Sequence, residues 1–430
     1  MDTENCKDIY SMTRKAVYLD YNATTPLASE VLEAVYLALK YNWGNPSSSY
    51  SAGLQAKQVI EEARKHVADM IGAKSSDIIF TSGGTESNNL VIHSAMQFFH
   101  NWIRDKHQNC TACSLSSNKS ICPHVITTNI EHDSVKLPLE HLVSRGLIVP
   151  TSSLSLQNLF KYNTGKPREA QLLEPVAEIA ESIRYKNKER GRQQCPLVPI
   201  LLHTDAAQAL GKIPVNVSDL NVDFLTVVGH KFYGPRTGAL FVRENQSYSI
   251  LFPSLFGGGQ ERGYRPGTEN VAMIAGLGKA AELVVNNLDT FSTHMEDVRS
   301  YLETQLKVTF GETIRFNSQR YQVPRLPNTA SIAFLDEKLS GQDILAKATM
   351  LQASTGAACH KTTKDRAHVE RVKEDRSLVQ ECRPSSVLVA SGVPENLAAR
   401  TLRLSVGRET TQRDIDLVVQ NLKNAVSSLQ

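Results

Sequence analysis

The sequence alternates short apolar, β-branched runs with longer segments of helical periodicity, and this alternation limits its fold more than any other feature. The strand-like runs are Ile78–Phe80, Val125–Thr127, Pro199–Leu202 and Phe224–Val228, and a helical pattern follows the first of them from Thr85. This order predicts a largely parallel sheet with helices on both faces, a doubly wound α/β core. No repeat with a period of about 20 to 50 residues is present, which excludes solenoids and propellers.

The last third of the chain has a different pattern. A helical stretch covers Val271–Leu306, a strand is predicted at Ala330–Phe334, and an amphipathic helix follows Thr410. That helix carries apolar residues at helical spacing, namely Ile415, Val418, Val419, Leu422 and Val426. Such spacing predicts one buried helix face. We therefore expect a second, smaller α+β domain.

The composition limits the class of partner. The chain has 430 residues, of which 41% are hydrophobic and 21% charged, and this excludes a disordered or low-complexity chain. Its 47 basic and 44 acidic residues give a net charge of +3, which is too balanced for nucleic-acid binding to be expected. A small molecule or a protein is the expected partner.

Cysteine usage and the N-terminal sequence predict a cytosolic protein. Seven cysteines are an odd number spread over a long chain, so we expect reduced thiols. Residues Met1–Tyr10 fit neither a signal peptide nor a transit peptide. No apolar run reaches about 18 residues, so no membrane span is predicted. The spacing of Cys110, Cys113, Cys122 and His124 fits no zinc module, so no metal is expected.

A glycine-containing turn at Thr81–Asn88 follows a strand and opens a helix. Free backbone N–H groups and the positive end of the helix dipole could bind a phosphate there, with Thr85 adding a hydroxyl. An ordinary turn with a Ser or Thr cap is the alternative. The spacing matches neither a Walker A loop nor GxGxxG, which disfavours a nucleotide site.

Two further segments place charged residues at strand ends. Asp205 follows the apolar run Ile200–Leu202, and a carboxylate there forms either a salt bridge or a partner that keeps a pyridinium nitrogen protonated. Lys231 lies in a turn before Gly234, and is either a solvated charge or a lysine that forms a Schiff base. In a doubly wound fold, both segments and the phosphate-binding turn meet at the carboxyl edge of the sheet.

These motifs belong to a longer series that runs in one order along the chain. The series comprises Tyr18–Pro26, Ser82–Asn89, Glu131–Ser134, His203–Gln208, His230–Lys231, Gly257–Thr268, Gly356–His360 and Leu402–Arg408. With it the chain resembles the selenocysteine lyase and cysteine desulfurase group of class V pyridoxal phosphate enzymes. The combination of Gly356–His360 with Arg265–Asn270 resembles the selenocysteine-specific members most.

The resemblance implies a fold of the pyridoxal phosphate transferase type I. In that fold a large domain with a mostly parallel sheet, residues 27–284, binds the cofactor. A smaller α+β domain, residues 1–26 and 285–430, carries a loop with a catalytic cysteine. The resemblance also implies a homodimer.

The resemblance further implies how the ring of pyridoxal phosphate is bound. Lys231 would form a Schiff base with the cofactor and later move the Cα proton of the substrate. His132 would stack on the ring and assist proton transfer. Asp205 would pair with the ring nitrogen, and Gln208 with the phenolic oxygen.

The phosphate and the substrate have their own implied residues. Thr85 and His230 would bind the phosphate, and Thr268 would reach the phosphate of the neighbouring subunit. Arg403 would bind the substrate carboxylate, which suits the planar fork of a guanidinium. Asn22 would lie near the substrate.

Cys359 is the implied nucleophile, and its neighbour His360 could favour the reactive thiolate. The implied reaction decomposes L-selenocysteine to L-alanine and selenium, which Cys359 accepts and a reductant or selenium acceptor then removes. Two alternatives stay open: a cysteine desulfurase, and a catalytically impaired splice variant or scaffold of the same fold.

Two segments depart from the family pattern. The family has a strand ending in Asn-Asn-Glu-Thr-Gly before the helix that here begins near Pro175, whereas this chain has the polar stretch Thr151–Gly165. We therefore expect that strand to be absent or replaced, with Asn163 as a substitute for the family's asparagine. The other departure, Lys361–Ser386, has 12 charged residues out of 26, a pattern typical of a solvated loop or short helix.

Overall fold

The computed structural model describes residues 16–109, 122–154, 175–192, 197–244, 248–317, 325–355 and 384–430. The strands are β1 Val17–Tyr18, β2 Ile78–Thr81, β3 His124–Thr128, β4 Val149–Leu154, β5 His203–Asp205, β6 Phe224–Val228, β7 Gly238–Val242, β8 Ile314–Phe316, β9 Thr329–Phe334, β10 Leu351–Gln352 and β11 Thr401–Ser405. The helices are α1 Ser29–Tyr41, α2 Ser51–Met70, α3 Gly84–Asn109, α4 Asp133–Ser144, α5 Val176–Gly191, α6 Val217–Leu220, α7 Val271–Phe310, α8 Gly341–Lys347, α9 Ser386–Ala390, α10 Glu395–Ala398 and α11 Gln412–Ser427.

The largest sheet among the described residues has the strand order β2-β7-β6-β5. Strands β5 and β6 are parallel, and β7 is antiparallel to both β2 and β6. Consequently β2, β5 and β6 run in one direction and end at one edge of the sheet. Strands β3 and β4 form a separate parallel pair.

Apolar side chains bury both faces of this sheet. All five residues of β6 and all four residues of β2 are buried, which explains why these strands have no polar alternation. A hydrophobic cluster joins them to helices α2 and α7 and extends from Val31 to Val284. This packing fixes the strand ends that carry the predicted site.

A second cluster lies around the antiparallel sheet β8-β9-β11 and helix α11. It contains Leu19 and residues from Met295 to Val426. Helix α11 begins with a capping box between Thr411 and Asp414, and its predicted apolar face is buried. The predicted domain boundary after residue 284 lies between the last residue of the first cluster and Met295; the division into domains stays a prediction.

Helix α7 contacts α1, α2 and α11 along its 40 residues. The segment Val271–Thr313 is long and apolar enough to cross a membrane by length and composition alone. However, Gly278 packs so closely on α2 that a Cβ atom at this position would lie 2.5 Å from Cβ of Ala63. These contacts favour a core helix.

The structure confirms seven predicted elements, four strands and three helices, and corrects two other predictions. Strands β2, β3, β6 and β9 and helices α3, α7 and α11 occur where the sequence predicts them. The strand predicted at Pro199–Leu202 is wrong, because β5 begins at His203. The Leu202 N–H instead donates a hydrogen bond to the Asp223 carboxylate, so this N–H is not used in the hydrogen bonding between strands. The strand expected to be absent or replaced at Thr151–Gly165 is in part present, since Ser152–Leu154 pair with β3.

Candidate active site

Four predicted site residues lie directly after strands or at their last residue. Thr85 follows β2, His132 follows β3, Asp205 ends β5, and Lys231 lies in the 3₁₀ turn after β6. Since β2, β5 and β6 end at the same edge, the fold brings these separate sequence motifs together there. This edge is the candidate active site.

Lys231 is held by the loop that follows β1. Its Nζ donates hydrogen bonds to the carbonyl oxygens of Asn22 and Ala23, each at 2.8 Å. Gln208 donates through Nε2 to the same Asn22 oxygen at 3.0 Å. The turn needs glycine at position 229, where a Cβ atom would lie 2.5 Å from the carbonyl oxygen of Pro235. An amine and an amide therefore converge on one carbonyl group.

The Asp205 carboxylate is oriented by two donors. Oδ1 accepts from the backbone N–H of Ala207 at 3.0 Å, and Oδ2 accepts from Nδ2 of Asn88 at 2.9 Å. Asn88 itself is only 1% exposed, and its Oδ1 accepts from the Thr226 hydroxyl at 2.7 Å. Asp205 is thus a fixed carboxylate that can face a positively charged ring nitrogen.

His132 caps helix α4 and has a defined tautomer. Its Nδ1 accepts from the backbone N–H of Ser134 at 3.1 Å and lies 2.7 Å from the Ser134 hydroxyl. Because a backbone N–H can only donate, Nδ1 carries no proton, and the neutral ring is protonated at Nε2. Asn88 donates to the Ser134 hydroxyl at 2.8 Å, so one buried amide supports both His132 and Asp205.

A cavity of about 210 Å³ lies at the start of α3. Its lining consists of Ser82, Gly83, Gly84, Thr85, Glu86, Val228, His230, Arg236 and Thr237. The helix N-terminus and the Arg236 guanidinium make this cavity suitable for an anion. Burial, with the charges of Lys231 and Arg236, lowers the pKa of His230 to about 4, so its ring is neutral at pH 7.

The acidic residue of this cavity does not oppose an anion. Arg265 binds the Glu86 carboxylate at 2.8 Å. Burial acts to raise the pKa of Glu86, but hydrogen bonds from Arg265 and Ser82 outweigh it and lower the pKa. Glu86 is therefore a paired charge that also fixes the turn, because it accepts from the Ser82 N–H at 2.7 Å.

Arg403 and Asn22 lie on the side of the smaller sheet. Arg403 donates through Nη2 to Asp20 at 2.7 Å, and its buried Nε has no hydrogen-bond partner among the described residues. The Asn22 side chain is bound instead to Thr329 at 2.8 Å and Asn328 at 3.0 Å. Arg403 thus has donor capacity left for a carboxylate, whereas Asn22 reaches the site through its backbone oxygen.

Other predicted residues are not brought together in this chain. Thr268 is exposed and does not line the cavity, as its predicted role toward a neighbouring subunit would require. Cys359, His360 and Asn163 lie outside the described residues, as do Cys110 and Cys113. Within the described ranges, no group of three or more His, Cys, Asp or Glu side chains could hold a metal ion.

Sequence reasoning missed Asn88 as a supporting residue, although the motif Ser82–Asn89 contains it. It also missed Lys212, which donates to the Gln208 side chain at 2.9 Å. No spacing rule identifies Asn88, because its contacts join separate elements, whereas Lys212 binds Gln208 only four residues earlier in the chain. The position of Asn88, one helical turn after Thr85 on α3, is the only signal that could have suggested it.

The arrangement fits pyridoxal phosphate. A lysine amine, a fixed carboxylate and an anion cavity occupy three neighbouring strand ends, and the Arg403 Nε lacks a hydrogen-bond partner among the described residues. Lys231 would hold the aldehyde carbon, Asp205 the ring nitrogen, and the cavity at α3 the phosphate.

Comparison with known proteins gives the same family. A sequence profile described as "Aminotransferase class-V" matches residues 17–418. The chain is 48% identical to "Selenocysteine lyase" of Homo sapiens, over 98% of this chain and 94% of that protein. It is 34% identical to "Cysteine desulfurase IscS" of Dictyoglomus turgidum, over 97% of this chain and 96% of that protein.

A solved structure described as a NifS-like protein has the same fold. It superposes with a TM-score of 0.74 and 26% identity, covering 96% of this chain and all of that one. The predicted fold class, an α/β fold of the pyridoxal phosphate transferase type I, is thereby confirmed.

Proposed function

Because this chain belongs to the aminotransferase class-V family, whose members of this group use pyridoxal phosphate, we propose that it decomposes L-selenocysteine to L-alanine and selenium. The observation that carries the proposal is the convergence of Lys231, Asp205 and the anion cavity at one sheet edge. The choice of selenium rests on the higher identity to selenocysteine lyases than to cysteine desulfurases, 48% against 34%.

The cofactor supplies an electron-withdrawing ring that stabilises the charge left when the substrate loses its Cα proton. Asp205 would keep a proton on the ring nitrogen, since Asn88 and Ala207 hold the carboxylate in place. Lys231 would hold the cofactor, and its amine would move the Cα proton of the substrate. The carbonyl oxygens of Asn22 and Ala23 hold this amine at the sheet edge, each at 2.8 Å.

The remaining residues bind the substrate and take up selenium. Arg403 binds the substrate carboxylate with the donors that Asp20 leaves available. His132 would lie on the ring face, where its Nε2 would assist proton transfer to the substrate. Cys359 would attack the substrate selenium as a thiolate, so that a sulfur–selenium bond forms while the Cβ–selenium bond breaks. The electron pair of that bond stays on carbon, which takes up protons and leaves as alanine. A thiol reductant or a selenium acceptor would then remove selenium from Cys359.

The homodimer is part of the proposal. Exposed apolar side chains support it, because Trp43 is 75% exposed after α1 and Phe256 is 89% exposed in the loop before Thr268. A contact that covers Phe256 would bring Thr268 to a neighbouring subunit. Sedimentation of the purified protein at twice the chain mass is the expected result. A cytosolic location is likewise proposed, on the strength of the odd number of cysteines.

A selenide and alanine release assay with L-selenocysteine and L-cysteine as substrates tests the proposal. We expect alanine to be released much faster from L-selenocysteine than from L-cysteine. The variant Cys359→Ser should lose the activity. Cys122→Ser is the matched control, since its thiol lies by the Gly146 oxygen at 3.6 Å, away from the site. Equal rates with cysteine would favour a desulfurase, and the absence of any cofactor absorbance would favour a scaffold.

A further inference from the structure

Lys212 is a buried lysine beside the site that the proposed mechanism does not use. It is 3% exposed, and its Nζ donates to Gln208 at both the backbone oxygen, 3.1 Å, and Oε1, 2.9 Å. No ion pair between Lys212 and an acidic residue is found in the parts of the chain that the structure describes. A buried charge without a counter-charge destabilises the folded chain, so a lysine at this position needs a physical explanation.

The charged groups that act on Lys212 are cations. Burial and the charges of Lys231, Arg403 and Arg408 lower the pKa of Lys212 to about 7. A ligand that brings negative charge relieves this repulsion while Lys212 stays protonated. The cluster therefore favours an anionic group beside Gln208.

Lys212 also determines which way the Gln208 amide points. An ammonium group only donates, so the atom that faces it must be Oε1. A carbonyl oxygen only accepts, so the atom that faces Asn22 must be Nε2. A flipped amide would place N–H groups against the ammonium at 2.9 Å. With one Nε2 hydrogen on Asn22, the second hydrogen of Gln208 is available to an acceptor in the site.

We propose that Lys212 is a positioning residue that fixes Gln208 as a donor to the phenolic oxygen of pyridoxal phosphate and stabilises that oxygen as an anion. This inference rests on the proposed function, because the ring oxygen belongs to the cofactor. Both effects favour the form of the bound cofactor with more negative charge, in which the nitrogen shared with Lys231 has lost its proton. Lys212 therefore lowers the pH at which that proton leaves.

The test is a pH titration of the cofactor's visible absorbance in the purified holoenzyme. Lys212→Met removes donor and charge, and we expect the midpoint to rise by about one pH unit, a tenfold change in proton affinity. Gln208→Met should move it in the same direction, and the double variant by less than the sum, since the two residues act together. Lys212→Gln, which keeps a donor without charge, should give a smaller rise.

Lys279→Met is the matched control, because Lys279 pairs with Glu282 on α7 at 2.9 Å. The titration midpoint of this variant should equal that of the wild type. Lys212→Met should also be at least as thermally stable as the wild type, since it removes an unpaired buried charge. An unchanged midpoint in Lys212→Met, or shifts of Lys212→Met and Gln208→Met that simply add, would overturn the inference. Borohydride labelling of Lys231 in the same samples separates the two failures: no label in the wild type would overturn the proposed function instead.

Discussion

Asn88 donates a hydrogen bond to Asp205 at 2.9 Å, and the same amide nitrogen donates to Ser134, the partner of His132, at 2.8 Å. Both hydrogens of one buried side chain are thus shared between the carboxylate proposed for the ring nitrogen and the imidazole proposed for the ring face. The geometry of the two groups cannot change independently of Asn88.

Asn88→Asp should reduce kcat by about 100-fold or more, because an acceptor-only, charged group then faces Asp205 and disfavours its ionised form. Steady-state kinetics with selenocysteine measures the change, and circular dichroism checks the fold. Asn424→Asp, an exposed change on α11, is the control and should leave kcat unaltered. An Asn88→Asp enzyme with full activity would contradict the role given to this amide.

Gly84→Ala should weaken cofactor retention, because its Cβ would lie 2.7 Å from Cγ2 of Val228, a stiff β-branched side chain at the end of β6. The turn must then shift where the phosphate is bound. Dialysis followed by measurement of bound cofactor shows the effect. Gly191→Ala has nothing within 4 Å of the new Cβ, so it should retain cofactor as the wild type does; equal retention in both variants would speak against this phosphate site.

Arg403→Lys should raise KM for selenocysteine by about 10- to 100-fold, since a single ammonium cannot replace a guanidinium fork on a carboxylate. The cofactor absorbance should not change, because Arg403 is assigned to the substrate. Arg413→Lys, the same substitution at an exposed position on α11, is the control and should leave KM unaltered. A normal KM in Arg403→Lys would assign the substrate carboxylate to another residue.

Two histidines predict how stability depends on pH. Burial lowers the pKa of both His203 and His230 to about 4, from an ordinary value of 6.5. The unfolded chain therefore binds protons that the folded chain excludes, and stability is lost as the pH falls from about 6.5 to about 4. His203→Gln, which can still donate to Thr226, should make that loss smaller in urea unfolding at pH 7 and pH 5. The control His100→Gln changes an exposed side chain and should leave the loss of stability between pH 7 and pH 5 unaltered. If His203→Gln also left this loss unaltered, the role given to His203 would be wrong.

Strands β2 and β6 could be predicted from sequence because burial on both faces requires a continuous apolar run. Strand β5 could not, because its three residues include polar side chains, and the apolar run before it, Pro199–Leu202, is bound by Asp223 instead of joining the ladder. Strand β4 was also missed, since Val149–Leu154 pairs with β3 through the backbone without an apolar sequence.

The same distinction holds for the site. Lys231 could be predicted because it follows a recognisable strand, and Thr85 because it opens a helix. Asp205 was found because it follows the apolar run Ile200–Leu202, although the strand itself begins at His203. Asn88 could not be assigned, because it lies 117 residues from its partner Asp205. The function of Lys212 depends on which atom of Gln208 faces it, and only the folded structure shows that.

Borohydride reduction of the protein supplied with pyridoxal phosphate, followed by peptide mass mapping, tests the central claim most directly. The account predicts a pyridoxyl group on Lys231 and none on Lys212, although both amines are near the cofactor site. A wild-type protein that takes up no label on Lys231, or takes it up on Lys212, would contradict the proposed chemistry.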